Sequence, residues 1–207
     1  MSTVTTKKAP TQGSARGSAR IERAVHDRRL LVATADAMYN SKGIQFVAMD
    51  DLREATGLSL RAIYNLFPSK TTLILAVLDH RHHTFTEGFT SRLRNEPDPQ
   101  QKLLAVYDYL AGWFDEGSFR GCGFINAFAE FGATEPSIAA RVRSHKDSFQ
   151  RVVARLVDEA GANPALAPQL AILAEGAQTT AAIAGNSDSA AHARAAAVVL
   201  IAAAVQR

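Results

Sequence analysis

One cysteine, Cys122, is all the thiol chemistry that this 207-residue sequence carries. An internal disulfide is therefore excluded, and a reducing cytoplasm is the expected compartment. Aromatic residues make up only 7% of the chain, with a single tryptophan, Trp113. No segment shows a convincing strand alternation, and abundant alanine favours helices. Met1 to Arg20 is Ser, Thr, Gly, Ala and Lys/Arg without an apolar core, so no secretory signal is expected. The longest uncharged apolar run, Ala195 to Val205, is shorter than the ~20 residues a bilayer span needs, and no membrane partner is expected. Gly121-Cys122-Gly123 does not match a phosphate loop, no Gly-Lys-Ser/Thr occurs, and no internal repeat is visible.

The sequence does carry a modest charge asymmetry and a distinctive short motif. The net charge is +3, and Lys7, Lys8 and Arg16 account for all of it, because residues 1–19 hold no acid. That stretch reads as a disordered basic arm, able to remain a solvated tail or to touch phosphates. From Asp50 to Thr56 the pattern is a short helix, and Gly57 suits the left-handed turn after it. Ser59 then caps a second short helix that Pro68 stops. At 3.6 residues per turn, Ala62, Ile63, Leu66 and Phe67 share a core side, while Leu60, Arg61, Tyr64 and Asn65 share the other. Helix, glycine turn and helix make a helix-turn-helix. In a major groove, Arg61 and Asn65 would meet base edges and Tyr64 a phosphate. Ser69 caps a third helix whose dipole end, together with Lys70, would attract one phosphate.

Leu52 to Leu78, with ATGLS, AIYNLFPSK and TLILAVL, resembles the DNA-binding head of the tetracycline-repressor (TetR/AcrR) family of bacterial regulators. Leu60, Ala62 and Leu66 depart from the residues usual in that family, which bears on the operator sequence. The stretch from Phe119 to Ala127 with Glu130, and Ala174 to Ala177, are similar to segments of the family's body. The resemblance implies double-stranded operator DNA as partner, a small effector bound among the body helices, and a homodimer through the last two helices. The reading is a repressor released from DNA by the effector, and no cofactor is expected.

Along the chain, the expected organisation is an arm at 1–19, a helix-turn-helix domain at 20–68, a linker helix at 69–96, and an effector-binding and dimerisation domain at 97–207. In the first helix, Arg20 to Ser41, residues Ile21, Val25, Leu31, Ala35 and Met38 would buttress the head. About nine helices in all give an all-α fold. Trp113, Phe114, Phe124 and Phe128 gather aromatic area near Asn126, Glu130 and Gln178, with Cys122 in the adjoining glycine turn. Apolar walls with few polar groups describe a ligand pocket for an apolar or aromatic molecule, and the same rings would equally serve as plain core. The last helix is apolar around most of its circumference, through Ala191, Ala195, Val198, Val199, Ile201 and Ala202, so a monomer would leave a face exposed.

An alternative is a small helical enzyme or metal-binding protein using Cys122 or the His80/His83 cluster. Those histidines sit one turn apart, yet no third ligand shares their face, and no histidine is sequence-adjacent to Cys122. No metal site and no catalytic set is expected.

Overall fold

The computed structural model describes residues 12–205, with side chains from Gly17 onward. Residues 1–11 of the expected arm lie outside the described residues. Nine helices and no strand occur among the described residues: α1 (Gln12–Lys42), α2 (Met49–Thr56), α3 (Leu60–Leu66), α4 (Lys70–Arg94), α5 (Pro99–Phe114), α6 (Gly123–Phe131), α7 (Pro136–Glu159), α8 (Leu166–Ala184) and α9 (Asp188–Val205).

The first helix differs from expectation at its start. Residues 12–19 are helical rather than an unstructured arm. They contain no proline, and extending an existing helix backwards needs no new nucleus, so even Gly17, at a cost of about 1 kcal/mol, does not stop it. Ile21 and Val25 are exposed and buttress nothing; packing begins at Leu31 and continues through Ala35 and Tyr39. The helix simply outruns the head that its second half supports.

Local sequence explains the remaining ends. Asp51 Oδ2 accepts the Ala48 N–H at 2.7 Å to start α2, and Gly57, at φ 70°, ends it. Ser69 accepts the Thr72 N–H at the start of α4. Asp98 accepts two N–H groups at the start of α5, with Pro99 in the first turn.

Two apolar cores result. The head core holds Leu31, Val47, Leu52, Ile63, Phe67 and Leu73, and it extends into the body through Phe124, Ala127, Ile138 and Val142. The body core holds Phe89, Leu103, Tyr107, Phe149, Leu170 and Ile201, among others. Residues 69–96 are therefore more than a linker. Leu73 to Leu78 of α4 belong to the head core and Phe89 and Leu93 to the body core; α7 makes the same passage, from Ile138 and Val142 to Phe149 and Val153. Between these ends, both helices present polar residues.

In α9, Ala190, Ala193, Ala197 and Ile201 pack inward against α5 and α8, while Ala191, Ala195, Val198, Val199 and Ala202 remain exposed. Ile201 is 4% exposed because it falls one turn after Ala197 on the inner stripe. The 11-residue apolar run sits inside an 18-residue helix that by length and composition alone is apolar enough to cross a membrane.

Candidate functional site

The head presents a short helix whose two faces separate cleanly. Ile63 and Phe67 are buried, whereas Arg61, Tyr64 and Asn65 are exposed and Leu60 is half-buried. Ser59 is committed to capping: its Oγ accepts the Ala62 N–H at 3.2 Å. Arg28 of α1 fixes the other end, donating to the Leu66 carbonyl at 3.3 Å with its guanidinium 4.2 Å from the Phe67 ring centroid. Nothing in the sequence spacing pointed to Arg28, which lies 38 residues from its partner. Lys70 does not stand free for a phosphate. Its Nζ donates to the Gln45 carbonyl at 3.3 Å, and burial lowers its pKa against the opposing pull of the Glu130 and Asp51 carboxylates.

The body holds a cavity of about 410 Å³ between the two cores. Its apolar wall is made of Phe85, Tyr109, Trp113, Phe119, Phe124 and Phe149. Its polar side carries two ion pairs, Arg81 with Asp36 and Lys146 with Glu175 at 2.6 Å, and the Lys146 ammonium also lies 3.5 Å from Cys122 Sγ. Buried His145 stacks on Phe124, with ring centroids 3.6 Å apart, and its Nδ1 is 2.9 Å from Nδ1 of His82 on α4. Burial, reinforced by Lys146, His82 and Arg141, pushes the His145 pKa down to about 3, so the ring is neutral near pH 7.

Of the eight residues expected to line a pocket, Trp113, Cys122, Phe124 and Gln178 line this cavity. Phe114 packs behind it in the core, 4.8 Å from the Phe119 ring. Helix α6 divides the others by its rotation: Phe124 and Ala127 point inward, and Asn126 and Glu130 line a smaller cavity of about 120 Å³ against α1 and α4. Phe128 is 43% exposed beneath the Arg143 guanidinium. Glu130 accepts the Ile44 and Gln45 N–H groups at 3.1 and 2.7 Å, a structural rather than ligand-facing use. The cavity keeps an aromatic wall, and beyond the expected Gln178 the two ion pairs and His145 add polar groups on one side. A sequence signal for His145 and Gln178 existed. His145 interrupts the apolar spacing Ile138, Val142, Phe149 on α7, and Gln178 interrupts Leu170, Ala174, Ala181 on α8.

His83 faces Glu87 at 3.1 Å, His82 turns to His145, and His80 stands exposed by the cavity. Among the described residues, no group of three or more His, Cys, Asp or Glu side chains is placed to hold a metal ion.

A helix-turn-helix head with an exposed reading helix, joined to a helical body by a continuous α4, defines a helix-turn-helix transcriptional regulator. The chain belongs to the TetR family: the model of bacterial regulatory proteins of the tetR family matches residues 31–77, and the tetracyclin repressor-like C-terminal domain matches residues 99–197. The HTH-type transcriptional activator FasR of Mycolicibacterium smegmatis is 30% identical over 137 residues, which is 66% of this chain and 60% of FasR. The chain thus spans less than two thirds of that relative. SCO4454 of Streptomyces coelicolor, a TetR-family regulator, superposes with a TM-score of 0.80 at 23% identity, covering 86% of this chain and 96% of SCO4454. A TetR regulator from Chloroflexus aurantiacus gives 0.79 at 26% identity, covering 87% and 96%.

Proposed function

We propose that the protein is a cytoplasmic, homodimeric repressor that binds operator DNA through α3 and leaves it when a small molecule fills the 410 Å³ cavity. One observation carries this reading: α4 starts in the head core, forms part of the cavity wall through His80, Arg81, Thr84 and Phe85, and ends in the body core. A ligand that favours one placement of that helix shifts the population of head positions, and the DNA affinity with it. Arg61 and Asn65 read bases, and Tyr64 holds a phosphate.

The dimer forms through α8 and α9. Ile172 and Ile183 are 71% and 84% exposed on α8, with Gly176, Thr179 and Thr180 exposed between them, and Val198 and Val199 are exposed on α9. Two such stripes related by a two-fold axis make a four-helix contact. The relative FasR is named as an activator, so the sign of regulation needs its own test. Recovery of bound fragments from genomic DNA, followed by a salt series on the selected duplex and a promoter reporter, is the decisive experiment. A steep salt dependence and reporter output that rises on deletion of the protein are expected. Output that falls on deletion makes it an activator, and binding without sequence selection removes the reading.

A further inference from the structure

The cavity's polar groups restrict what it can accept, and the restriction is chemical as well as steric. Apart from Glu116 at its mouth, its ionic side chains already have partners. Arg81 is paired with Asp36, Lys146 with Glu175, and Arg120 is held by the Gly117 and Phe119 carbonyls. Inside the mouth, an ionic ligand would have to displace one member of a pair and leave its partner without its counter-charge. Glu116, the remaining acid, is exposed where the cavity meets solvent.

Deeper in, two side chains offer unused hydrogen-bonding atoms. Gln178 is 4% exposed, and its Nε2 donates to the Ala174 carbonyl at 3.3 Å, which leaves Oε1 as a free acceptor. His145 is 5% exposed, and its Nδ1 is taken by His82, which leaves Nε2. Neither atom has a protein partner among the described residues. Neither is sealed in packed core, where the Tyr39 hydroxyl is the one buried side-chain polar atom without a partner among those residues. Both residues line the cavity, so both atoms open onto its space.

The histidine pair adds an adaptive element. Two neutral imidazoles with facing Nδ1 atoms share one proton on that axis. When His82 donates, His145 Nε2 carries a hydrogen and is a donor; when His145 donates, Nε2 is an acceptor. The cavity therefore offers a fixed acceptor and an atom of either polarity, next to a wall of aromatic rings. An uncharged hydroxyl, which donates and accepts at once, complements that set better than any ion.

We propose that the effector is an uncharged aromatic molecule bearing a hydroxyl group, recognised by Gln178 Oε1 and by His145 Nε2 in whichever tautomer the ligand selects. The proposal rests on the effector-cavity reading above and specifies its ligand class.

The test is calorimetric titration of the full-length protein at pH 7.5 with four probes of one ring size: 2-naphthol, naphthalene, 2-naphthoate and 2-naphthyltrimethylammonium. 2-Naphthol is expected to bind at least tenfold more tightly than each of the other three. Gln178→Leu should cut its margin over naphthalene below threefold while leaving naphthalene binding unchanged, and Gln178→Met should do the same should the leucine variant fold poorly. Tighter binding of the carboxylate or the ammonium probe, with Trp113 fluorescence responding, overturns the hydroxyl proposal and leaves the cavity reading standing. An unchanged margin in both Gln178 variants also overturns it. Silence from all four probes overturns the proposal and the effector-cavity reading together.

Discussion

Glu130 on α6 accepts the backbone N–H of Gln45 at 2.7 Å, although 85 residues separate them. The same carboxylate takes the Ile44 N–H, and the Gln45 carbonyl accepts from Lys70, so both backbone groups of Gln45 are held by distant side chains. The loop leading into α2 is thus anchored to the body and to the start of α4.

Removing that anchor should loosen the head without dismantling it. Glu130→Ala is expected to lower stability by about 1.5–3 kcal/mol, the range for hydrogen bonds to a charged acceptor. The amides of Ile44 and Gln45 should exchange with solvent faster than those of α5. Hydrogen exchange followed by NMR checks this, and unchanged protection of the two amides contradicts it.

Reading of DNA should divide by residue type. Arg61→Ala is expected to relax sequence preference at one base pair and to cost ~1–3 kcal/mol on the selected site. Tyr64→Phe should weaken all duplexes alike. Lys70→Ala should act mainly on stability, given its bond to the Gln45 carbonyl. Fluorescence anisotropy on selected and scrambled duplexes separates the three outcomes.

The two faces of α9 should respond differently to charge. Ala202→Glu places a carboxylate on the exposed stripe and is expected to give a folded monomer. Ile201→Glu buries one in the body core and should unfold the chain. Sedimentation velocity with circular dichroism distinguishes them, and a stable monomer for the unmutated protein removes the dimer.

Acid should destabilise the fold through His145. Its folded pKa, about 3, lies below the unfolded value of 6.5, so the folded state binds fewer protons between those limits. The stabilisation is complete above pH 6.5 and is lost as the pH falls. The loss is at most about 1.4 kcal/mol per pH unit for this one residue. Around the ring stand Lys146 and Arg141 on its own helix and His82 on α4, with Glu175 of α8 paired to Lys146. Protonating either imidazole also brings a charge against these cations. Urea unfolding from pH 7.5 to 4.5 should show a shallower decline for His145→Gln than for the unmutated protein.

What the sequence made legible follows from how local each signal was. The two faces of α3 needed only helical periodicity, and the break at Gly57 needed only a left-handed turn. Trp113 and Phe124 were placed together by their aromatic area, and Cys122 and Gln178 by lying in or next to the segments that resemble the family's body. Phe128 and Asn126 fall outside the larger cavity; α6 has nine residues, so an error of one position in its rotation moves a side chain by about 100°. Asp36, Arg81, Lys146 and Glu175 were missed because charged residues on helices usually face water, and their pairing across 45 and 29 residues has no local signature. The inward face of α9, which holds Ile201, was not legible because an almost wholly apolar helix has no polar side to orient it.

The unbroken passage of α4 and α7 through the polar waist has a mechanical consequence. Both helices run from head core to body core, and no connecting loop interrupts either between its head-core and body-core residues. The head cannot change its angle to the body by rearranging a loop there, since every backbone hydrogen bond of those turns would have to break in mid-helix. Relative movement then requires these two helices to tilt as rigid bodies. In that arrangement the contacts between the two helices, His82 with His145 and Asp79 with Arg141, are the rungs that any tilt has to accommodate.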